Sequence, residues 1–440
     1  DLLYISSSTK CVDNLAKKWD FKNLEFRPKL DTNGVVVPEE LFTMSGGYQT
    51  TESRRTSIND NNLSTNYYEA PRVEEIYVNS PWFPPYLISN VETLKVLVLG
   101  TATKKIGEGL CCWNHWMPAW RGDDRNRRPP GTFYGDFEFT FPASTDLALS
   151  IHNCFKYDKA KTVDMTHVAH IAMSDTDLYN NIYTDDDDSI LATDIGDKCQ
   201  ACAYVYNLKL PKFSSVRFPQ ATFAIWSTSD AIAKQVNMRT LDINGINKLP
   251  NYAFTDQSLL TTVTASITST ITLGTDGDSS TVAKNHKCFK GCSSMTTFPL
   301  EKLRGRLGYA DFMGCVNLAN TETSVFSGIT SCNAYSDYDP SVSDTSDGLE
   351  DPTTPNKSAT FYGCSSLKRL WFDDTCTFTA IGTYFAYDCG SVREVRLPPT
   401  CTHVGYRAFY GCTALAKIYA PTGCTFDTDA YPTTTTVDYY

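Results

Sequence analysis

The sequence predicts a β-rich repeat fold of the α+β kind, a solenoid in which short parallel strands stack from one repeat to the next. The first observation is a recurring motif whose phenylalanines are 24 residues apart (385 − 361 and 409 − 385). The motif occurs as Phe361-Tyr-Gly-Cys364, Phe385-Ala-Tyr-Asp-Cys389 and Phe409-Tyr-Gly-Cys412. Self-similarity at a period of this length is typical of a solenoid, because one unit is too small to bury its own apolar face.

Two further observations place a strand and a turn in each repeat. Behind each motif, apolar and polar residues alternate over 367–372, 392–397 and 415–419, which indicates a half-buried strand. A second cysteine then follows in every unit, and an Ile-Gly or Val-Gly step leads into the next phenylalanine. These second cysteines are Cys376, Cys401 and Cys424.

This pattern resembles the BspA-like (type 5) leucine-rich repeat, whose unit reads roughly Ile-Gly-x-x-Ala-Phe-x-x-Cys-x-x-Leu-x-x-Ile-x-Leu-Pro. Residues 381–398 and 404–420 fit it closely, and the match weakens toward the N-terminus. The resemblance implies a leucine-rich-repeat solenoid found mostly in surface and secreted proteins of bacteria and some protists. It implies adhesion or partner binding and does not imply catalysis.

We expect three parts in the chain. Residues 1–70 form an irregular N-terminal cap or small domain, in which Leu24-Glu-Phe26 is a strand. The solenoid covers 71–425, and 426–440 is a C-terminal tail or cap. Inserted loops are expected at 111–131, 275–286 and 333–357.

Imperfect repeats are visible before the clear ones, and each is expected to contribute a strand. The predicted strands lie in 73–78, 94–99, 137–141, 162–168, 205–210, 238–243 and 271–273.

Composition limits the partners. The formal net charge of −11 argues against nucleic acid, because phosphate binding needs a basic face. No apolar run approaches the length of a membrane span. The chain begins at Asp1 without a signal peptide, which we interpret as a processed or trimmed product.

The sixteen cysteines fall into two groups. We expect buried thiols at the repeat position, since cysteine is small, apolar and readily buried. These are Cys292, Cys315, Cys364, Cys389 and Cys412. The irregular cysteines are better disulfide candidates, and the redox compartment stays open. These are Cys11, Cys111, Cys112, Cys154, Cys199, Cys202 and Cys332.

No motif predicts catalysis, a cofactor or a metal ion. His167-x-x-His170 lacks further ligands in a recognisable array, and Cys199-x-x-Cys202 has no second pair at zinc spacing. The acidic stretches 185–188 and 276–278 lack the spaced oxygens of a calcium loop and are interpreted as solvated loops.

The insertion at 111–131 is the one local feature that suggests a binding site. Tryptophan and arginine are concentrated there, and both are enriched at binding hot spots. The candidate binding residues are Trp113, Trp116, Trp120, Arg121, Arg125, Arg127 and Arg128. The alternative is that this loop packs against the flank of the solenoid, because tryptophan is highly buried on average.

The sequence therefore predicts a non-enzymatic cell-surface or secreted protein that binds a protein or glycan through the solenoid face and its inserted loops. An alternative is a structural subunit of an extracellular filament or virion surface, whose partners are sister subunits. An enzyme with its site in 1–70 or in an insertion is the third hypothesis.

Overall fold

A computed structural model describes residues 2–6, 23–27, 75–78, 81–83, 96–111, 137–155, 160–184, 201–219, 221–224, 238–274, 286–332 and 358–440. The chain divides into two compact units. The first contains Asp1–Ile190 and Asp194–Gly245, and the second contains Leu191–Thr193 and Ile246–Tyr440.

The first unit is built from short parallel strands. They are β1 (Leu2–Ser6), β2 (Asn23–Arg27), β3 (Glu75–Val78), β4 (Trp82–Phe83), β5 (Val96–Leu99), β6 (Lys105–Ile106), β7 (Glu138–Thr140), β8 (Ala148–Ser150), β9 (Thr162–Asp164), β10 (His170–Ala172), β11 (Asn207–Lys209) and β12 (Thr240–Asp242). The pairing orders are β1-β2-β3-β5, β4-β6-β8-β10 and β7-β9-β11-β12. One short helix, α1 (Asp175–Tyr179), follows β10, and the Ser174 side chain caps its N-terminus.

The pairing register places one buried apolar residue from each strand in a column. Phe139 lies beside Val163, Val163 beside Leu208, and Leu208 beside Leu241. All four are buried, whereas the residues on either side of them are half-buried or exposed. The period-2 alternation of the sequence therefore becomes a continuous core beneath the sheet.

The N-terminal segment contributes two strands to the first sheet. β2 confirms the predicted strand at Leu24-Glu-Phe26, and Leu24 pairs with Ile76 of β3. The expected domain limit at residue 71 therefore falls between two paired strands. Residues 1–70 carry no Phe-x-x-Cys motif, so this segment has no repeat signal.

The second unit repeats the arrangement with more regular sequence. Its strands are β13 (Lys248–Leu249), β14 (Thr262–Thr264), β15 (Thr272–Leu273), β16 (Gly305–Arg306), β17 (Ile329–Ser331), β18 (Arg369–Trp371), β19 (Ala380–Ile381), β20 (Glu394–Arg396), β21 (His403–Val404), β22 (Lys417–Ala420), β23 (Thr425–Phe426) and β24 (Thr436–Tyr439). A 3₁₀ turn spans Leu300–Lys302. The pairing orders are β13-β15, β16-β17, β18-β20-β22-β24 and β19-β21-β23.

A stack of phenylalanine rings runs through the second unit. Ring centroids are 5.4 Å apart for Phe254 and Phe289, 5.7 Å for Phe289 and Phe312, and 5.4 Å for Phe312 and Phe361. The planes differ by at most 14°. Each repeat thus adds one aromatic ring to the core at the same position.

The phenylalanines at 361, 385 and 409 are equally spaced in sequence, but Phe385 is not structurally equivalent to the other two. The Phe361 N–H donates to the Phe385 carbonyl, and the Ala386 N–H donates to the Ala408 carbonyl, both at 2.8 Å. Ala386 therefore occupies the position of Phe361 and Phe409, and Phe385 lies one residue earlier. The parallel stack stops here, since Phe385 meets Phe361 at 85°. The cysteines, at spacings of 25 (389 − 364) and 23 (412 − 389), follow the true register.

The repeat cysteines are buried free thiols, as predicted. Each donates its S–H to the main-chain carbonyl at the phenylalanine position of the preceding repeat. The acceptors of Cys292, Cys315, Cys364, Cys389 and Cys412 are the carbonyls of Phe254, Phe289, Phe312, Phe361 and Ala386, at 3.0–3.2 Å. Burial raises the pKa of the Cys292, Cys364 and Cys389 thiols well above the ordinary value, so these thiols stay protonated donors.

The disulfide expectation is wrong for four of the irregular cysteines. Cys111, Cys154, Cys202 and Cys332 are buried free thiols, because they too fill the core at the ends of short strands or in turns. The other three irregular cysteines lie outside the described residues.

Left-handed backbone marks the bend of each C-terminal repeat. Two residues in each repeat have a positive φ. One lies five positions before the repeat cysteine, and the other lies one position before it. The pairs are Ala359 and Gly363, Tyr384 and Asp388, and Arg407 and Gly411. The second position suits glycine, which has no Cβ, or aspartate, whose short side chain tolerates this conformation.

Candidate functional site on the C-terminal strands

The outward side chains of β18, β20 and β22 form one surface, which we call the C-terminal strand face. The buried centres of these strands are Leu370, Val395 and Ile418, so their neighbours point outward. Parallel register aligns the outward residues in two rows. One row is Arg369, Glu394 and Lys417, and the other is Trp371, Arg396 and Tyr419.

Trp371 lies on β18, at the end of its row, and it is the residue around which the other side chains of this face cluster. The Arg369 guanidinium carbon lies 3.7 Å from the centroid of the Trp371 ring, and that of Arg396 lies 5.8 Å from it. The Tyr419 ring meets Trp371 edge-on at 5.4 Å. The indole is therefore held between two cations and a second aromatic ring, which attract its π-face and edge.

Arg396 is fixed from three sides. It donates to the Phe372 carbonyl at 2.6 Å and to the Asp374 carboxylate at 2.6 Å. Its guanidinium carbon also lies 5.2 Å from the Tyr440 ring centroid. Only 18% of the Arg396 side chain is exposed, so its orientation is set before any partner arrives.

Charges on this face are balanced in pairs. Arg369 faces Glu394 at 3.6 Å, and Lys417 faces Asp438 at 2.8 Å. The hydrogen bond to Asp438 raises the pKa of Lys417 above its ordinary value. The surface offers flat aromatic rings and paired ions, and it contains no nucleophile next to a general base.

Titratable groups also meet in the first unit, where three neighbouring parallel strands end. The Glu108 N–H donates to the Asp175 carboxylate at 2.9 Å, and His152 Nδ1 lies 3.1 Å from the Glu108 carboxylate. These contacts join the ends of β6 and β8 to the start of α1. Within the part of the chain that is described, no group of three or more potential ligands is arranged to hold a metal ion.

The predicted binding residues of the 111–131 insertion lie outside the described residues. Trp113, Trp116, Trp120, Arg121, Arg125, Arg127 and Arg128 therefore remain a prediction. The insertion at 333–357 and the acidic stretches 185–188 and 276–278 also lie outside. His170 lies in β10 and stacks on Tyr183 with ring centroids 4.4 Å apart, while His167 is half-buried in the preceding turn.

Sequence reasoning missed the C-terminal strand face, although its signal was present. The alternation that identified the strands also identifies every second residue as outward. Listing those residues for three consecutive repeats gives the two rows around Trp371. The pairing of each cation with a carboxylate could not be read from the alternation.

A family model described as a BspA type leucine rich repeat region, with six copies, matches residues 282–416 and 349–434. Residues 282–434 of the chain are therefore a BspA-type leucine-rich repeat region. The matched ranges contain the phenylalanine stack from Phe289 onward, the repeat cysteines and the C-terminal strand face. No curated protein matches the chain significantly.

Three solved structures are similar to this chain at low identity. A leucine-rich repeat protein from Bacteroides ovatus ATCC 8483 has 12% identity and a TM-score of 0.32, covering 85% of this chain and 86% of that one. A leucine rich cell surface protein from Faecalibacterium prausnitzii A2-165 has 14% identity and a TM-score of 0.19, covering 86% and 85%. The TLR13–ssRNA13 complex has 11% identity and a TM-score of 0.30, covering 95% and 53%.

Among the described residues of the chain, no helix has both the length and the apolar character needed to cross a membrane.

Proposed function

We propose that this protein is a cell-surface or secreted binding protein without a catalytic role, which recognises a protein or glycan through the C-terminal strand face and the inserted loops. The observation that carries the proposal is the pre-ordered cluster around Trp371, with Arg369, Arg396 and Tyr419 in contact with it. The match of residues 282–434 to the BspA-type repeat, which is typical of surface proteins, supports the proposed location.

The residue types on this face are those that dominate binding energy. Tryptophan, tyrosine and arginine are enriched at hot spots, where truncating one residue costs about 2 kcal/mol or more. A ligand that covers Trp371 removes a large apolar surface from water without first ordering a flexible side chain. The ionic pairs around it favour a partner that carries both polar and apolar groups.

The 111–131 insertion is the second proposed recognition element. Its three tryptophans can stack on sugar rings or enter a partner's pocket, and its arginines suit carboxylate or sulfate groups. Loops are the usual place for function in a repeat scaffold, because the strands are committed to packing.

The test compares wild type with Trp371→Ala, with Arg396→Ala and with the matched control Arg393→Ala. Arg393 directly precedes β20, but its side chain is 64% exposed and pairs with Glu322, which belongs to neither row of the face. Labelled protein is applied to a glycan array and to intact cultured cells. We expect Trp371→Ala and Arg396→Ala to weaken binding at least tenfold and Arg393→Ala to leave it unchanged.

Melting temperatures separate a binding effect from unfolding. Equal binding by all folded variants contradicts a role for this face. Sedimentation of the wild-type protein addresses the alternative of a structural subunit, because such a subunit self-associates at modest concentration. A monomer that binds cells or glycans supports the binding protein.

A further inference from the structure

A row of tyrosines lies on a different surface of the second unit. Tyr362, Tyr387 and Tyr410 stand two residues before the cysteines of three successive repeats. Their rings stack, with centroids 4.9 Å apart and 8° between planes for the first pair, and 5.6 Å and 22° for the second. We call these three residues together with Tyr406 and Arg407 the tyrosine ridge.

The stacked rings present their edges and hydroxyl groups. Each ring is half-buried or, for Tyr410, 40% exposed, and none of the three hydroxyls makes a hydrogen bond within the described residues. Burial raises the pKa of Tyr362 and Tyr387 above the ordinary value, so both hydroxyls stay protonated at neutral pH. A phenolic hydroxyl both donates and accepts hydrogen bonds, which matches the hydroxyl groups of a sugar.

Arg407 lies at one end of the row between two rings. Its guanidinium carbon is 4.9 Å from the Tyr406 centroid and 5.0 Å from the Tyr410 centroid. Its buried Nε atom has no hydrogen-bond partner in the described part of the chain. Arg407 also forms no ion pair there, whereas Arg369, Arg393 and Arg396 of the neighbouring repeats each contact a carboxylate.

An arginine in this state is ready to bind an anion. Stacking fixes the plane of the guanidinium, and its two terminal Nη groups can form the two parallel hydrogen bonds that a carboxylate or sulfate accepts. Two acidic residues lie on the same surface: Asp429 attracts Arg407 through space and Asp388 follows Tyr387. Neither pairs with Arg407 within the described residues, so the guanidinium still lacks a partner.

We propose that the tyrosine ridge binds an extended anionic polysaccharide, with a uronate carboxylate or a sulfate on Arg407 and successive sugars along Tyr410, Tyr387 and Tyr362. The distance between neighbouring rings is close to the advance of one sugar unit along such a chain. The inference rests on the proposed binding function, and it assigns a ligand class to a surface other than the C-terminal strand face. Because the protein carries a net charge of −11, attraction must be local to Arg407.

Calorimetric titration of the full chain tests this inference with three probes: a polyuronate, dextran sulfate and neutral dextran of matched length. We expect binding to at least one anionic polymer, weaker binding at higher salt and none to neutral dextran. A response to only one anionic polymer identifies the group that Arg407 recognises. Equal binding to neutral dextran, or no binding to either anionic polymer, overturns the inference.

Variants assign the binding to the ridge. Arg407→Gln is expected to lower affinity at least tenfold. Arg407→Lys is expected to lower it less, because lysine keeps the positive charge but lacks the paired N–H donors of the guanidinium. Tyr387→Phe removes one hydroxyl and is expected to cost a few-fold, whereas the control Arg393→Gln changes nothing. Unchanged affinity in Arg407→Gln overturns the inference even if Arg407→Lys or Tyr387→Phe binds more weakly.

The same variants are applied to the glycan array and the cells. Loss of binding with Trp371→Ala but not with Arg407→Gln contradicts the tyrosine ridge and leaves the proposed function intact. Loss of binding with Arg407→Gln but not with Trp371→Ala supports the tyrosine ridge and contradicts a role for the C-terminal strand face. If wild type binds no polymer, array or cell, both proposals fail.

Discussion

Both units bend the chain through residues with a positive φ, but the spacing of these residues and their side chains differ. In the second unit the bend carries the Phe-x-x-Cys motif. In the first unit Cys111, Phe155 and Cys202 take φ values of 54°, 52° and 52°. The Phe155 N–H donates to the Leu110 carbonyl at 2.7 Å, and the Cys202 N–H to the Cys154 carbonyl at 2.9 Å. These three residues are therefore equivalent in consecutive turns, although their sequences do not align.

The cores differ accordingly. In the first unit Phe139 meets Phe141 at 86° and Phe155 at 49°, so its aromatic rings form an irregular cluster. In the second unit four rings stack almost parallel, from Phe254 to Phe361. The difference teaches that main-chain hydrogen bonding between successive turns needs only a left-handed bend and a buried apolar residue. The periodic motif is one way to satisfy that need.

The largest expected effect tests whether both cores are equally essential. Phe385→Ala and Phe155→Ala each remove a fully buried ring and are expected to destabilise the protein by about 3–5 kcal/mol. Chemical denaturation followed by hydrogen exchange measures the loss and shows which unit opens. In a repeat protein the damage is expected to stay within the unit that carries the change.

Ile267→Ala is the matched control, because Ile267 is 93% exposed. Its effect is expected to stay within about 0.5 kcal/mol. A cost for Phe155→Ala as small as the control's means that the irregular core of the first unit is not a true counterpart of the phenylalanine stack.

The next effect concerns the bend itself. Gly363 has φ of 73°, and a Cβ there meets no atom within 4 Å. Gly363→Ala therefore isolates backbone strain and is expected to cost about 1–2 kcal/mol in thermal or denaturant unfolding. Gly363→Asp should cost less, since Asp388 occupies the equivalent position with φ of 58°. Equal costs for alanine and aspartate contradict this explanation.

A smaller effect depends on pH and distinguishes a half-buried ion pair in the first unit from an exposed one in the second. Burial alone raises the pKa of Asp164, but hydrogen bonds from Thr166 and Lys209 outweigh it, so the pKa lies below the ordinary value. Its stabilising contribution is therefore present above the unfolded pKa of about 3.9 and is lost as pH falls through the folded pKa.

Asp164→Asn is expected to cost up to about 1 kcal/mol at pH 7, and the difference from wild type should begin to shrink near pH 4 and vanish below the folded pKa. Urea unfolding across pH measures this. Asp438→Asn, which removes the exposed partner of Lys417, should have no measurable effect at any pH. A pH-independent cost for Asp164→Asn means that hydrogen bonding rather than charge stabilises the site.

The smallest effect is a difference in thiol reactivity within the second unit. A hydrogen bond from Cys401 lowers the pKa of Cys424, whereas burial raises that of Cys364. Because the thiolate is the reactive form, iodoacetamide at neutral pH should modify Cys424 before Cys364 in the folded protein. Peptide mapping by mass spectrometry measures the order in which the two cysteines are modified. Equal rates, or a Cys364–Cys389 crosslink, contradict the buried reduced ladder.

Much of the fold was predictable because alternation and periodicity survive in the sequence. The predicted strands at 73–78, 94–99 and 205–210 contain β3, β5 and β11. β8 escaped prediction because all three of its residues are buried, so it has no polar alternation. The strand predicted over 162–168 ends early at Asp164, where the Val168 N–H closes a turn onto the Met165 carbonyl.

The candidate surfaces were predictable in part. The repeat pattern predicts the two rows around Trp371 and the tyrosines two residues before each cysteine. The unpaired state of Arg407 is not, because it depends on which carboxylates the neighbouring repeats bring within reach. The shift at Ala386 was visible only to someone who counted from the cysteines and not from the phenylalanines.

The thiol-to-carbonyl bonds between successive repeats have a consequence for how such a protein changes length. Each repeat supplies a thiol donor to the repeat before it and a carbonyl acceptor to the one after it. A duplicated segment of 23 to 25 residues therefore carries both the donor and the acceptor that it needs to bond with its neighbours. Duplication of 365–389 would add one tyrosine to the ridge and one strand to the face at the same time. Gene duplication could in this way lengthen the track for a polymer one sugar unit at a time while the core stays unaltered.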